Sequence, residues 1–170
     1  MHMMKRRDLL RAGLAATTAI VGIPLIPLAY AAPVSFYDLE FPALDGQPVA
    51  VSEFLGKPMV LNFWATWCPP CVKEMPDLDF LQHRHNHVNI VGLAVDTASN
   101  VQKFSKKIAV SYPLLVAGHN GIQLMKGMGN PRGGLPFTIL FDAAGQPIEH
   151  FLGQIQRDEL DAVLAGIKPA

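Results

Sequence analysis

Residues 62–71 read Asn62-Phe63-Trp64-Ala65-Thr66-Trp67-Cys68-Pro69-Pro70-Cys71 and contain both cysteines of the chain. Two elements meet there. Met59–Trp64, apolar but for Asn62, has strand length and the pattern of a strand buried on both faces. A helix is predicted from Pro69 to about His87, kinked at Pro76. Cys68 then falls at the helix N-cap, where unpaired N–H groups and the helix dipole favour a thiolate. Positions three apart on a first helical turn share a face, so the sulfurs of Cys68 and Cys71 can close a small ring. Cys68 is the predicted attacking sulfur. Cys71, one turn inside, is predicted to resolve the mixed disulfide.

Two other uses of a cysteine pair remain open on this pattern. An inert crosslink over a four-residue loop removes little chain entropy and so has scant stabilising purpose. A metal site needs two further ligands, and there is no second cysteine pair. Met125, Met128 and His119 are the residue types a copper site would use, yet methionines more commonly pack cores. Dithiol redox chemistry is the stronger reading.

Outward from this junction the chain alternates. Val34–Phe41, the Asp45-Gly46 turn and Val49–Val51 read as a short hairpin. Val88–Val95 is a second buried strand ending at Asp96, and Ser99 or Asn100 is the expected cap of a helix through Ile108, with Phe104 and Ile108 facing inward. Pro113–Val116 reads as a short strand and Ile122–Met128 as a short helix before the glycine-rich loop Gly129–Gly134. Phe137–Phe141 is a third strong strand. Asp142–Gly145 turns it into an antiparallel partner at Ile148–Leu152, and an amphipathic helix closes at Asp158–Ile167. A βαβ alternation followed by a hairpin and a helix predicts an α/β sheet with helices on both faces.

Composition narrows the class. The chain has 170 residues, half of them apolar, with 14 Lys+Arg against 14 Asp+Glu. So apolar and balanced a chain is not disordered, and it lacks the basic stripe a nucleic-acid binder needs. Residues 5–11, Lys-Arg-Arg-Asp-Leu-Leu-Arg, make a basic head, Ala12 to Ala32 is uncharged and apolar, and Ala29-Tyr30-Ala31 ends it, the three parts of a secretory signal peptide. Cleavage is expected after Ala31, with an uncleaved anchor as the alternative. Arg6-Arg7 followed by Leu9, Leu10 and Arg11 resembles a twin-arginine signal, although Lys5 and Leu9 depart from its usual residues. No cysteine stands at the leader's end, where a lipid-anchored form would need one. The leader carries four basic residues and one acid, which leaves 10 basic and 13 acidic residues in a single mature domain, 32–170. The expected location is the periplasm, where disulfide chemistry is permitted.

Trp67-Cys-Pro-Pro-Cys71 after an apolar strand, and Gly134-Leu135-Pro136-Phe137-Thr138 before another, resemble the thioredoxin superfamily. More narrowly, residues 62–68, the run Cys71-Val-Lys-Glu74-Met-Pro76 and Leu135-Pro136 resemble the exported TlpA/ResA-like thiol-disulfide oxidoreductases. The resemblance covers about residues 34–167. It implies a thioredoxin-like fold: a central mixed sheet, helices on both faces, an N-terminal β-hairpin extension and a β/α insert. It also implies that Pro136 is a cis proline against the dithiol, which would leave the backbone of Leu135 free to pair with an extended substrate strand. Trp67 would flank the dithiol and offer partners a flat surface.

The direction of electron flow is read from the residues. Pro70 has no N–H, so one of two usual cap donors to Cys68 is missing. Neither residue between the cysteines is basic, and Glu74 would disfavour a nearby thiolate when ionised. These features predict a reducing couple. Plain thioredoxin has a buried aspartate where this chain has Asn62, which cannot titrate; Glu74 is therefore the candidate base for Cys71, with a pKa raised by burial. Trp64 and Asn62 are expected in the core. His83, His85 and His87 fall at a helix end where alternate positions face apart, so a solvated surface is expected.

The expected function is reduction of disulfides in exported proteins, of the cytochrome c maturation or metal-site assembly type. The expected partners are disulfide-bearing exported proteins and a membrane thiol donor, with no cofactor, no metal, no nucleic acid, and a monomer as the default state. The alternative is a copper chaperone, against which stands the two-residue cysteine spacing; copper-delivery relatives typically use three. A thiol peroxidase would need Thr where Ala65 stands.

Overall fold

A computed structural model describes residues 35–168. The expected leader and the start of the mature domain at residue 32 lie outside the described residues. After a 3-10 turn at Phe36–Asp38 the elements run β1 (Glu40–Pro42), β2 (Pro48–Ala50), β3 (Met59–Trp64), α1 (Pro69–Arg84), β4 (Asn89–Ala94) and α2 (Ala98–Ser105). They continue with β5 (Leu114–Val116), α3 (Gly121–Gly127), β6 (Phe137–Phe141), β7 (Pro147–Leu152) and α4 (Arg157–Gly166). No helix among them is long and apolar enough to cross a membrane.

β3 lies at the centre of a five-stranded sheet ordered β5-β4-β3-β6-β7. β4 runs parallel to it and β6 antiparallel, so the sheet is mixed. All six residues of β3 are buried, Asn62 included, as a strand covered on both faces requires. β1 and β2 form a separate hairpin, turned at Gly46 (φ 83°) and tethered to β5 by a single bridge between Ala43 and Leu115.

Strand alternation divides the core in two. Val60 and Trp64 face one layer with Cys71, Met75, Leu78 and Leu81 of α1, Val101 of α2, and Leu160 and Leu164 of α4. Leu61 and Phe63 face the other with Met125 of α3 and the aromatic rings of the N-terminal extension. The fold is the expected thioredoxin-like one, with three of the described helices on one face and one on the other.

The ends of two helices, one cap and the histidines need correction. α1 runs through Pro76 and stops at Arg84, short of His87, and His85 leaves the helix (φ −116°, ψ 67°). Helical spacing therefore no longer governs the histidines. His83 is exposed, but His85 is buried with Nε2 2.6 Å from Asp161 Oδ1 of α4, and the His85 and His87 rings sit edge to face 5.7 Å apart. α2 is capped by Thr97, whose side-chain oxygen accepts the Asn100 N–H, rather than by Ser99 or Asn100. It ends at Ser105, so Ile108 lies beyond it, while Phe104 packs on Trp64 with ring centroids 5.2 Å apart.

Gly92 of β4, opposite Asn62 of β3, is a close-approach glycine. A β-carbon there would lie 2.7 Å from Leu114 Cδ2, 3.1 Å from Trp64 Nε1 and 3.2 Å from Tyr112 Cε2. The expected outcome for Gly92→Ala is a destabilisation of about 1–3 kcal/mol from overpacking, read from the denaturant midpoint; an unchanged midpoint would show that the layer yields freely.

Candidate active site

The dithiol sits where β3 gives way to α1. Three residues, Ala65-Thr66-Trp67, make the connection, and Asp96 at the end of β4 anchors it. Asp96 Oδ2 accepts both the Thr66 hydroxyl (2.5 Å) and the Thr66 N–H (3.1 Å), while Oδ1 accepts Thr97 N–H and Asn100 Nδ2. Burial pushes the Asp96 carboxyl up, but these hydrogen bonds outweigh it and hold its pKa below the usual value. Asp96 appears in the sequence only as a strand terminus; its hold on the loop depends on a partner 30 positions away.

Cys68 is the N-cap of α1, with extended backbone (φ −102°, ψ 98°). Its Sγ accepts the Cys71 N–H at 3.3 Å. Pro69 and Pro70 fill the first two helical positions and supply no N–H, so this is the cap's one backbone donor from that turn. The two cysteines are joined as a disulfide. Cys71 is fully buried and Cys68 retains 4% exposure, which makes Cys68 the sulfur nearer solvent. Trp67, next to it, is 63% exposed.

Glu74 follows Cys71 by three positions on α1 and is fully buried. Oε1 accepts Asn62 Nδ2 at 2.8 Å and Oε2 accepts the backbone N–H of Ile155 at 2.9 Å. Asn62 Nδ2 also donates to Thr138 Oγ1 of β6 at 2.9 Å. Burial pushes the Glu74 carboxyl up to about 7; the hydrogen bonds from Ile155 and Asn62 oppose the rise and the charge of Asp77 adds to it.

The Leu135–Pro136 peptide bond is cis. Pro136 is buried, and its carbonyl accepts the Gly153 N–H at 2.9 Å. Leu135, half-buried, packs against the core cluster that includes Cys68 and Cys71. The sequence-predicted residues thus fall on two neighbouring pieces of the fold, Trp67 to Glu74 after β3 and Leu135-Pro136 before β6, which pairs with β3. Trp64 and Asn62 are buried as expected. Met125 is core, and among the described residues no group of three or more His, Cys, Asp or Glu is placed to hold a metal ion.

The sequence matches the AhpC/TSA family over residues 33–151. The chain belongs to that family. Thiol-disulfide oxidoreductase ResA of Bacillus thuringiensis subsp. konkukian is 34% identical over 129 residues, 74% of this chain and 72% of its own. Among solved structures, a thioredoxin-related protein from Neisseria meningitidis serogroup B is 32% identical with a TM-score of 0.64, covering 74% of this chain and 96% of its own. A thioredoxin-family thiol:disulfide interchange protein from Chlorobium tepidum is 28% identical with a TM-score of 0.67, covering 81% and 97%. With these relatives and the Cys68–Cys71 pair, this AhpC/TSA member is a thiol-disulfide oxidoreductase.

Glu74 also links stability to pH. Its folded pKa of about 7 lies above the unfolded value of 4.5, so the fold binds a proton more tightly than the unfolded chain. The resulting stability is fully present below pH 4.5 and is lost as pH rises through 7. At about 1.4 kcal/mol per pKa unit, the loss is roughly 3 kcal/mol. Denaturant titrations of the oxidised protein between pH 4 and 8 should show this fall in the wild type and not in Glu74→Gln. Equal slopes in both would place the linkage elsewhere.

Proposed function

We propose that the protein is a periplasmic disulfide reductase acting on exported proteins. The reading is carried by one observation: the Cys68 sulfur accepts a single backbone N–H, at 3.3 Å, because the first two helical positions are prolines. A thiolate with few donors is poorly stabilised, which leaves its thiol only modestly acidic and its disulfide hard to reduce. Ionised Glu74 on the same helix works in the same direction. The basic-then-apolar leader supports export. The resemblance to TlpA/ResA-like proteins favours substrates of the cytochrome c maturation or metal-site assembly type.

The Cys68 thiolate attacks one sulfur of the substrate disulfide, forming a mixed disulfide and releasing the first substrate thiolate. Glu74 takes the proton from the Cys71 thiol, and the Cys71 thiolate attacks Cys68 Sγ. The second substrate thiolate leaves, and the Cys68–Cys71 disulfide carries the two electrons' worth of oxidation. A dithiol donor in the membrane then restores the reduced form. Trp67 offers a flat surface beside the attacked bond, and the backbone of Leu135 ahead of Pro136 pairs with an extended substrate segment.

The test is the reduction potential of the Cys68–Cys71 couple, equilibrated with dithiothreitol mixtures. A value well below about −180 mV, that of protein disulfide isomerase, is expected. Pro70→Ala restores an N–H at the second helical position. At about 1.5–3 kcal/mol for a hydrogen bond to a charged group, it should raise the potential by roughly 30–60 mV. A wild-type value near −120 mV, or no response to Pro70→Ala, would contradict the assignment.

A further inference from the structure

We propose that Asn62 is a positioning residue whose side-chain amide turns over as Glu74 gains or loses a proton, so that Glu74 keeps a side-chain hydrogen-bond partner in both states. The inference rests on the role given to Glu74 above only for its kinetic consequence; the geometry stands without it.

The hydrogen bonds around Glu74 suit a carboxylate. Oε2 faces the Ile155 N–H, a backbone donor whose direction the chain fixes, and Oε1 faces Asn62 Nδ2, also a donor. A proton placed on either oxygen along one of these two hydrogen bonds would meet a donor, not an acceptor. The missing acceptor belongs to the same side chain: Asn62 Oδ1 is buried and has no hydrogen-bond partner. A buried carbonyl oxygen left unpaired is uncommon and asks for a reason.

Turning the Asn62 amide by half a revolution supplies one. The terminal torsion of asparagine is broad and two-fold, so both orientations are open to it. Oδ1 then takes the place of Nδ2 and can accept two hydrogen bonds, from the Glu74 hydroxyl and from Thr138. Thr138 Oγ1, which accepts from Nδ2 at 2.9 Å, becomes a donor by rotating its hydrogen. The double donor thus becomes a double acceptor at the moment Glu74 takes the Cys71 proton, and turns back when Glu74 releases it. Aspartate at position 62 would compete for the proton; an apolar residue would leave Glu74 without this partner in either state.

Other groups bear on Glu74. Cys71 and Asp77 lie on its own helix, and Asp77 pairs with Arg157 of α4 at 3.8 Å. Tyr112, ahead of β5, is buried with an unpartnered hydroxyl, and burial followed by the charges of Glu74 and Asp79 raises its pKa. β3 and β6 contribute only the neutral Asn62 and Thr138, and the segment before α4 contributes the Ile155 amide.

The test is NMR of the isotope-labelled, oxidised full chain, titrated from pH 5 to 9 while following the Glu74 carboxyl carbon and the Asn62 side-chain NH2. The expected result is one shared midpoint for both. The cross-relaxation between the Asn62 NH2 protons and the Thr138 methyl group should be strong at high pH and largely lost at low pH. In Glu74→Gln the Asn62 signals should no longer move over this range. An Asn62 amide that keeps its shifts and its Thr138 contact while Glu74 titrates would overturn the inference, as would a Glu74 that does not titrate. If Asn62 and Glu74 move together but Glu74→Gln resolves mixed disulfides at the wild-type rate, the inference holds and the base role of Glu74 fails.

Discussion

A carboxylate buried one helical turn beyond Cys71, held by a β3 amide on one oxygen and by the Ile155 N–H on the other, joins three parts of the chain that are far apart in sequence. Burying an acid is unfavourable unless it is hydrogen-bonded or neutral, and Glu74 is poised between the two solutions. That balance places its proton affinity near neutrality, where a group can both accept and return a proton. The central sheet supports it from below: β3 is buried along its whole length, its Asn62 is flanked by Gly92 and Thr138, and both neighbours are neutral. No competing carboxylate enters from the sheet.

The N-cap imposes the complementary constraint. β3 must end where α1 begins, within three residues, and Asp96 draws Thr66 back so that Cys68 lands on the cap. A helix N-terminus is an anion site by default. Here the first two helical positions are prolines, so the site is built and then stripped of part of its donor set. On the proposed reading, a thiol placed there attacks a disulfide without being held as a stable thiolate, the property a reductant needs. In the proposed mechanism cap and carboxylate act in series, one on the attack by Cys68 and the other on the resolution by Cys71.

Much of this was legible in the residues because the signals were local. β3 and β6 are apolar runs interrupted only by Asn62 and Thr138, with turn or cap chemistry at their ends, and the observed strands coincide with them. The dithiol and its cap follow from spacing alone, and Glu74 from its place one turn on. What escaped was tertiary. His85 has the pattern of a solvated helix-end residue, but α4 brings Asp161 to it, and Thr97, whose hydroxyl oxygen accepts the Asn100 N–H, caps α2 in place of the two expected residues. Asp96 and the Ile155 amide act on partners 30 and 81 positions away, with no periodicity to announce them. The sequence places Asn62 in the core; that its amide leaves an oxygen unpaired beside a buried acid is visible only once the strands are assembled.

The most direct measurement is the single-turnover rate at which the mixed disulfide on Cys68 is resolved, followed by stopped flow from pH 5 to 9. A buried carboxylate serving as base predicts a wild-type rate that rises with an apparent pKa near 7, the value of Glu74. It also predicts a Glu74→Gln rate slower by roughly 10²–10⁴-fold at neutral pH, the usual contribution of a positioned base. An unchanged rate and pH profile in Glu74→Gln would contradict it and leave Cys71 to be deprotonated by solvent.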